Sequence, residues 1–174
     1  MSINKPYRSA EELPDIIPVF PLPGALLLPR GQLPLNIFEP RYLNMFDDAM
    51  ANHRIIGMIQ TVPGSDRARP DLVKVGCLGR ISRFSETSDG RYEIILTGLC
   101  RFHIAEELSA LTPYRQVRAD YQSYEDDFLP LEDRADFDRA AFLAALKAYL
   151  DHRGLEIDWD GAKAAPSEPL VTSL

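Results

Sequence analysis

The acidic run Glu125-Asp126-Asp127 is the part of this sequence best suited to hold a metal ion. Carboxylates are the ligands that Ca²⁺ and Mg²⁺ prefer, and with Asp133 or His103 they could serve a small metal-dependent hydrolase. Three consecutive side chains point in different directions, however, so such a run more often forms a solvated loop. We therefore expect no metal ion and no cofactor.

Neither serine nor cysteine stands in a pattern typical of a nucleophile. Ser65 follows Gly64 in a basic loop without the second glycine of a nucleophile elbow, which favours a turn residue. Cys77 and Cys100 lie in apolar, strand-like segments and have no partner at metal-ligand spacing, so both thiols are predicted to be buried. The sequence also lacks a phosphate-binding glycine loop and a His-Glu-x-x-His motif. We predict no catalytic residue and no enzymatic activity.

Composition narrows the choice of partners and location. Acidic residues outnumber basic ones 26 to 19, and the net charge of -7 repels phosphate backbones. The apolar stretches, such as Ala25 to Leu28, are far shorter than the roughly twenty residues that cross a bilayer. Residues 1–15 do not resemble a signal peptide. We expect a cytoplasmic protein without nucleic-acid or membrane partners.

The order of the predicted elements indicates an α+β fold. After a lead-in over residues 1–13 that is predicted to be disordered, residues 14–126 are predicted to form at least six strands in a mostly antiparallel barrel or curled sheet. Pro40 and the helical spacing from Tyr42 to Met50 predict a short helix after the second strand. Residues 127–174 are predicted to form a helical extension, truncated at its C-terminus.

Glycines mark the places where the chain is predicted to turn or end an element. Asp89-Gly90 stands between two alternating segments and predicts a hairpin. Gly76 and Gly79 indicate a bulge or tight bend in the strand before it. Gly154 is predicted to end a long helix whose apolar stripe includes Ala135 and Leu150.

Several blocks of this sequence, which cover about residues 16 to 124, together carry a family resemblance. They are Ile17-Pro18-Val19-Phe20-Pro21-Leu22-Pro23-Gly24, Leu27-Leu28-Pro29, Leu33-Pro34-Leu35-Asn36-Ile37-Phe38, Glu39-Pro40-Arg41-Tyr42, Val75-Gly76-Cys77-Leu78-Gly79-Arg80-Ile81, Gly90-Arg91-Tyr92 and Leu96-Thr97-Gly98-Leu99-Cys100-Arg101-Phe102. These blocks resemble the N-terminal substrate-recognition domain of Lon proteases, particularly its free-standing bacterial relatives.

This resemblance implies a PUA-like β-barrel followed by a helical extension. It also implies a non-catalytic module that binds unfolded or exposed hydrophobic polypeptide, since ATP hydrolysis and peptide cleavage belong to other domains of Lon. Action with a separate protease and self-association are both open. An RNA-binding PUA-like domain is the alternative, although the acidic balance disfavours it.

The candidate substrate-binding residues lie in and beside the second, third and fourth of these blocks. A strand-to-helix junction rich in aromatic and charged groups could present a stacking face and ion-pairing groups to a peptide. The same residues could instead cap the helix and pack the core, and the leucines could form the inward face of a strand. The candidates are Leu26, Leu28, Phe38, Glu39, Arg41 and Tyr42.

Overall fold

The computed structural model describes residues 6–129 and 137–172. The chain divides into two compact units, residues 1–129 and 130–174. The first unit contains strands β1 (Ile16–Pro21), β2 (Gln32–Ile37), β3 (Ile55–Ile59), β4 (Val75–Glu86), β5 (Tyr92–Glu107) and β6 (Arg115–Asp120), helix α1 (Pro40–Ala51), and 3-10 helices at Ala10–Glu12 and Gln122–Phe128. The second unit contains helices α2 (Arg139–Arg153), α3 (Trp159–Ala164) and α4 (Ser167–Thr172).

The six strands form one mixed sheet in the order β2-β5-β4-β3-β1-β6, and β6 also pairs with β5. Strands β1 and β3 are parallel, whereas the other pairings among the six strands are antiparallel. The predicted mostly antiparallel sheet with a short helix after the second strand is therefore observed.

Two hydrophobic clusters fill the first unit. One gathers side chains of α1, including Met45 and Phe46, against Ile94 and Leu96 of β5. The other includes Ile17 of β1 with residues of β5 and β6. The β5 members of both clusters, Ile94 and Leu96 in the first and Cys100 and Phe102 in the second, follow one two-residue alternation. The two clusters therefore divide along the length of β5 and not between its faces.

The β4–β5 hairpin forms where Asp89-Gly90 predicted it. Of the residues in this turn, only Gly90 takes a positive φ, 77°. Its N–H donates to the Thr87 carbonyl at 3.0 Å. Thr87 in turn donates its N–H to the Arg91 carbonyl at 2.9 Å. The loop therefore has three residues, with a glycine in the left-handed position. The β4–β5 register also shifts between Leu78 and Gly79, which confirms the predicted irregularity there.

The N-terminal segment differs from the predicted disordered lead-in. Residues 1–5 lie outside the described residues, but the segment from residue 10 to 12 is helical and Leu13 is buried. The Tyr7 hydroxyl donates to the His53 carbonyl at 3.1 Å. Packing begins earlier than predicted because Leu13 supplies an apolar anchor and Tyr7 a hydrogen bond.

In the second unit, helix α2 begins after Asp138, whose carboxylate accepts a hydrogen bond from the Ala141 N–H at 2.9 Å. It ends at Gly154, which takes the left-handed conformation with φ 67°, as predicted. The predicted helical stripe from Leu131 to Ala135 lies outside the described residues. Within the described part of the chain, none of the helices combines the length and apolar character that a membrane crossing needs.

Candidate functional site

The six predicted binding residues differ widely in exposure. Leu26 and Phe38 are 69% and 57% exposed, which is unusual for large apolar side chains. Arg41 is exposed as well, whereas Glu39 and Leu28 are half-buried. Tyr42 is only 8% exposed and belongs to the core around α1. Of the six predicted residues, Leu26 and Phe38 are therefore the exposed apolar groups that a partner can reach.

Leu26 lies in a loop and not in a strand. Pro23-Gly24 and Pro29 bracket the segment, and proline interrupts the backbone bonding that a ladder needs. The Gln60 side chain holds the loop instead, accepting from the Gly24 N–H at 3.1 Å and donating to the Ala25 carbonyl. The interpretation of these leucines as the inward face of a strand is therefore wrong, although Leu27 between them is buried.

The end of the same loop is fixed to β5 at Gly98. The Arg30 N–H donates to the Gly98 carbonyl at 2.9 Å, and the Gly98 N–H donates to the Gly31 carbonyl at 2.9 Å. A Cβ at position 98 would overlap the Leu28 carbonyl oxygen. Only glycine permits this approach, so Gly98 determines how closely the loop lies on the sheet.

The strand-to-helix junction is built from an ion pair and an aromatic stack. Arg41 Nη2 lies 2.8 Å from Glu39 Oε2, and the guanidinium lies 4.9 Å from the centre of the Tyr42 ring. Tyr42 stacks on Phe20 with ring centres 4.1 Å apart, and burial raises the pKa of Tyr42. Glu39 occupies the N-cap position but its side chain makes no capping hydrogen bond. At the junction the charges of Arg41 and Glu39 therefore neutralise each other, and the Arg41 guanidinium lies over Tyr42, which packs in the core.

A residue from the distant hairpin completes the surface at Phe38. The Arg91 guanidinium lies 5.7 Å from the centre of the Phe38 ring, and its Nε lies 2.9 Å from Asp89 Oδ2. Sequence reasoning missed Arg91 as a site residue. Ile37 pairs with Tyr92, and this pairing brings their chain neighbours Phe38 and Arg91 together. The sequence gives no direct sign of that register.

An open groove of about 470 Å³ crosses strands β2, β5 and β4. Register places Leu35, Ile94 and Phe84 in one row across the three strands. Ile94 is buried in the core and Leu35 packs against it, whereas Phe84 is 52% exposed. Sequence reasoning missed this groove because it depends on pairing between distant segments. The lining residues are Pro34, Leu35, Asn36, Arg83, Phe84, Ser85, Glu93, Ile94 and Ile95.

The acidic run has a structural role at Asp127. The two carboxylate oxygens of Asp127 accept from Arg101 Nη2 at 2.7 Å and Nε at 3.0 Å, and Oδ2 also accepts from the Arg101 N–H at 2.8 Å. Burial alone would raise the pKa of Asp127, but the hydrogen bonds from Arg101 outweigh it and lower that pKa. Asp133 lies outside the described residues, and among those described no group of three His, Cys, Asp or Glu side chains could hold a metal ion.

The candidate nucleophiles take the places predicted for them. The Ser65 hydroxyl donates to the Val62 carbonyl at 2.6 Å within a turn. Cys77 and Cys100 are free and buried. Burial raises the pKa of both thiols, that of Cys100 to about 12. Both cysteines are therefore held as neutral core groups.

Solved structures place the fold among Lon N-terminal domains. A Lon N-terminal domain protein from Xanthomonas campestris is 23% identical, with coverage of 87% of this chain and 83% of that chain and a TM-score of 0.57. The N-terminal domain of Lon protease from the Mycobacterium avium complex is 15% identical, with coverage of 80% and 69% and a TM-score of 0.53. At these identities the likeness shows the fold alone.

Sequence comparison identifies the family. The model of the ATP-dependent protease La (LON) substrate-binding domain matches residues 16–156. The chain belongs to this family, which confirms the resemblance seen in the sequence. Lon protease 2 of Myxococcus xanthus is 28% identical over 63% of this chain and 13% of its own length. Lon protease of Parabacteroides distasonis is 28% identical over 94% of this chain, but the chain spans only 19% of that relative.

Proposed function

We propose that this chain binds unfolded or exposed hydrophobic polypeptide segments and does so without catalysis. The family model describes a substrate-binding domain. The observation that carries the proposal is a set of accessible apolar groups in the segments that precede, form and follow β2. The loop bearing Leu26 ends where β2 begins, the groove is lined from the middle of β2, and Phe38 follows its last residue.

The dimensions of this surface suit an extended chain. Six residues of β2 span roughly 20 Å at the rise of a strand, so the groove and Phe38 follow one another over the length of a short extended peptide. Apolar side chains that remain accessible in a soluble domain often mark interaction sites. The Glu39–Arg41 pair beside Phe38 adds no net charge that would select a charged segment.

A PUA-like barrel is the form of the sheet that we propose. The pairing of β6 with both β1 and β5 supports closure of the strands around the core. Such a framework would hold the apolar surface rigidly, because each strand that carries it is paired along its length.

The proposal is tested by anisotropy titration of a fluorescein-labelled, reduced and carboxymethylated protein that stays unfolded. We expect Phe38→Ser to weaken binding about tenfold, or ~1.4 kcal/mol, because the variant removes part of the apolar area covered in the complex. Leu111→Ser is the matched control, since Leu111 is fully exposed on the β5–β6 loop of the same unit. Absence of binding by the unchanged chain at micromolar concentration would contradict the proposed function.

A further inference from the structure

We infer that the outer edge of β2 takes up an extended, uncharged segment of the bound polypeptide as an added strand. The inference rests on the proposed function and states how the segment is held. Among the residues that the structure describes, strand β2 stands at the end of the strand order and pairs with β5 alone. Gln32, Pro34 and Asn36 are exposed. One edge of β2 therefore faces outward.

The register identifies the backbone groups on that edge. Residues of an antiparallel pair alternate between those bonded to the partner and those pointing away. Gly98 bonds to the Arg30–Gly31 segment, and Gln32 pairs with Thr97 as the next step of the ladder. By alternation Leu33, Leu35 and Ile37 bond to β5, whereas the residues between them point outward. Pro34, which has no N–H, lies at an outward position as this pattern requires.

The outward groups form a short recognition strip. Gln32 and Asn36 offer N–H donors, and these two residues and Pro34 offer carbonyl acceptors. Within residues 6–129 and 137–172, no backbone or side-chain group bonds to this strip. The acceptors follow at two-residue spacing and the two donors at four-residue spacing. An extended backbone is the partner that matches such groups along one edge, and it does so without regard to side chains.

The side chains around the strip determine the character of the occupant. Strand β2 carries no charged residue, and the adjoining groove has one charge of each sign, Arg83 and Glu93. Edge strands are commonly protected by charges or by proline. Strand β2 has no charge, and Pro34 removes only one of its three outward N–H groups, so Gln32 and Asn36 still offer donors to an uncharged segment. Leu33 and Leu35 pack partly buried against the core, and an added strand would extend their row. The occupant should therefore carry apolar residues at every second position.

Asn36→Pro tests the inference, because it removes an outward N–H without removing a bond to β5. Asn36→Ala is the matched control that loses the side chain and keeps the N–H. We expect Asn36→Pro to weaken binding of the labelled unfolded protein about tenfold or more. Asn36→Ala should bind within about twofold of the unchanged chain. Equal binding by the two variants would overturn strand addition and leave the proposed function standing.

Peptides supply a second measurement that does not depend on folding of a variant. An eight-residue peptide alternating valine and serine should bind the unchanged chain. The same peptide N-methylated at all eight residues, so that neither of its edges can donate, should bind at least tenfold more weakly. Equal affinity of methylated and unmethylated peptides would overturn the inference. A dimer of the chain, seen by sedimentation, that forms through β2 and excludes the peptide would also overturn it.

Discussion

Replacement of Gly98 by alanine should lift the loop that carries Leu26 from the sheet. The added Cβ would overlap the Leu28 carbonyl oxygen, a backbone atom that can move only with its loop. Two hydrogen bonds of 2.9 Å, from Arg30 to Gly98 and from Gly98 to Gly31, would then be strained or lost. At about 1 kcal/mol for each bond and about 1 kcal/mol for overpacking, we expect a loss of ~3 kcal/mol.

The assay is urea denaturation followed by circular dichroism, combined with hydrogen exchange at the Arg30 amide. Gly90→Ala is the control, because position 90 has a positive φ and open space around it, so alanine should cost about 1 kcal/mol through backbone strain alone. The steric argument is refuted if Gly98→Ala costs no more than Gly90→Ala and Arg30 exchanges as slowly as in the unchanged chain. A displaced loop should also weaken binding of unfolded protein.

Three further predictions concern stability and thiol chemistry. Asp127→Asn should cost about 2 kcal/mol at pH 7, a value reduced for the half-exposed Arg101. Because folding lowers the pKa of Asp127, the stabilisation that its carboxylate gives the fold is present above the ordinary aspartate pKa of about 4. This stabilisation is lost as the pH falls through the pKa of Asp127 in the folded chain. If urea melts at pH 3 show the same loss of stability in Asp127→Asn as at pH 7, the prediction is contradicted. Arg139→Gln should destabilise the second unit by about 1–2 kcal/mol, since Arg139 donates to the Ala162, Lys163 and Ala165 carbonyls at the end of α3; unchanged hydrogen exchange in α2 and α3 would contradict it. Cys77 and Cys100 should react with a disulfide reagent at pH 8 only after unfolding, and rapid modification of the native chain would be the opposite result.

Local features of the sequence were enough to predict several elements. Pro40 and the apolar spacing after it predict α1 because a helix repeats every 3.6 residues. Alternation predicts β6, in which Val117 and Ala119 are buried between exposed residues. Gly90 and Gly154 mark turns because both need positive φ. Each of these signals is carried by residues within a few positions of one another.

The candidate site was predicted only in part. The resemblance drew attention to the segment from Leu26 to Tyr42, and two of its six candidates are exposed apolar groups. The sequence did not separate the exposed Phe38 from the buried Tyr42, because both are aromatic residues beside the same helix start. It also missed Arg91 and Phe84, because the β4–β5 hairpin that carries them comes beside β2 only through the pairing of β2 with β5.

The sequence by itself determined the family, the order of strands and helices, and the turns that separate them, because these depend on residue type and short spacing. Tertiary structure alone decided that Leu26 stands in a loop, that Arg101 neutralises Asp127, and that a groove crosses β2, β5 and β4. The physical reason is that register and long-range contact set which side chains share a surface. Strand pairing over tens of residues establishes both.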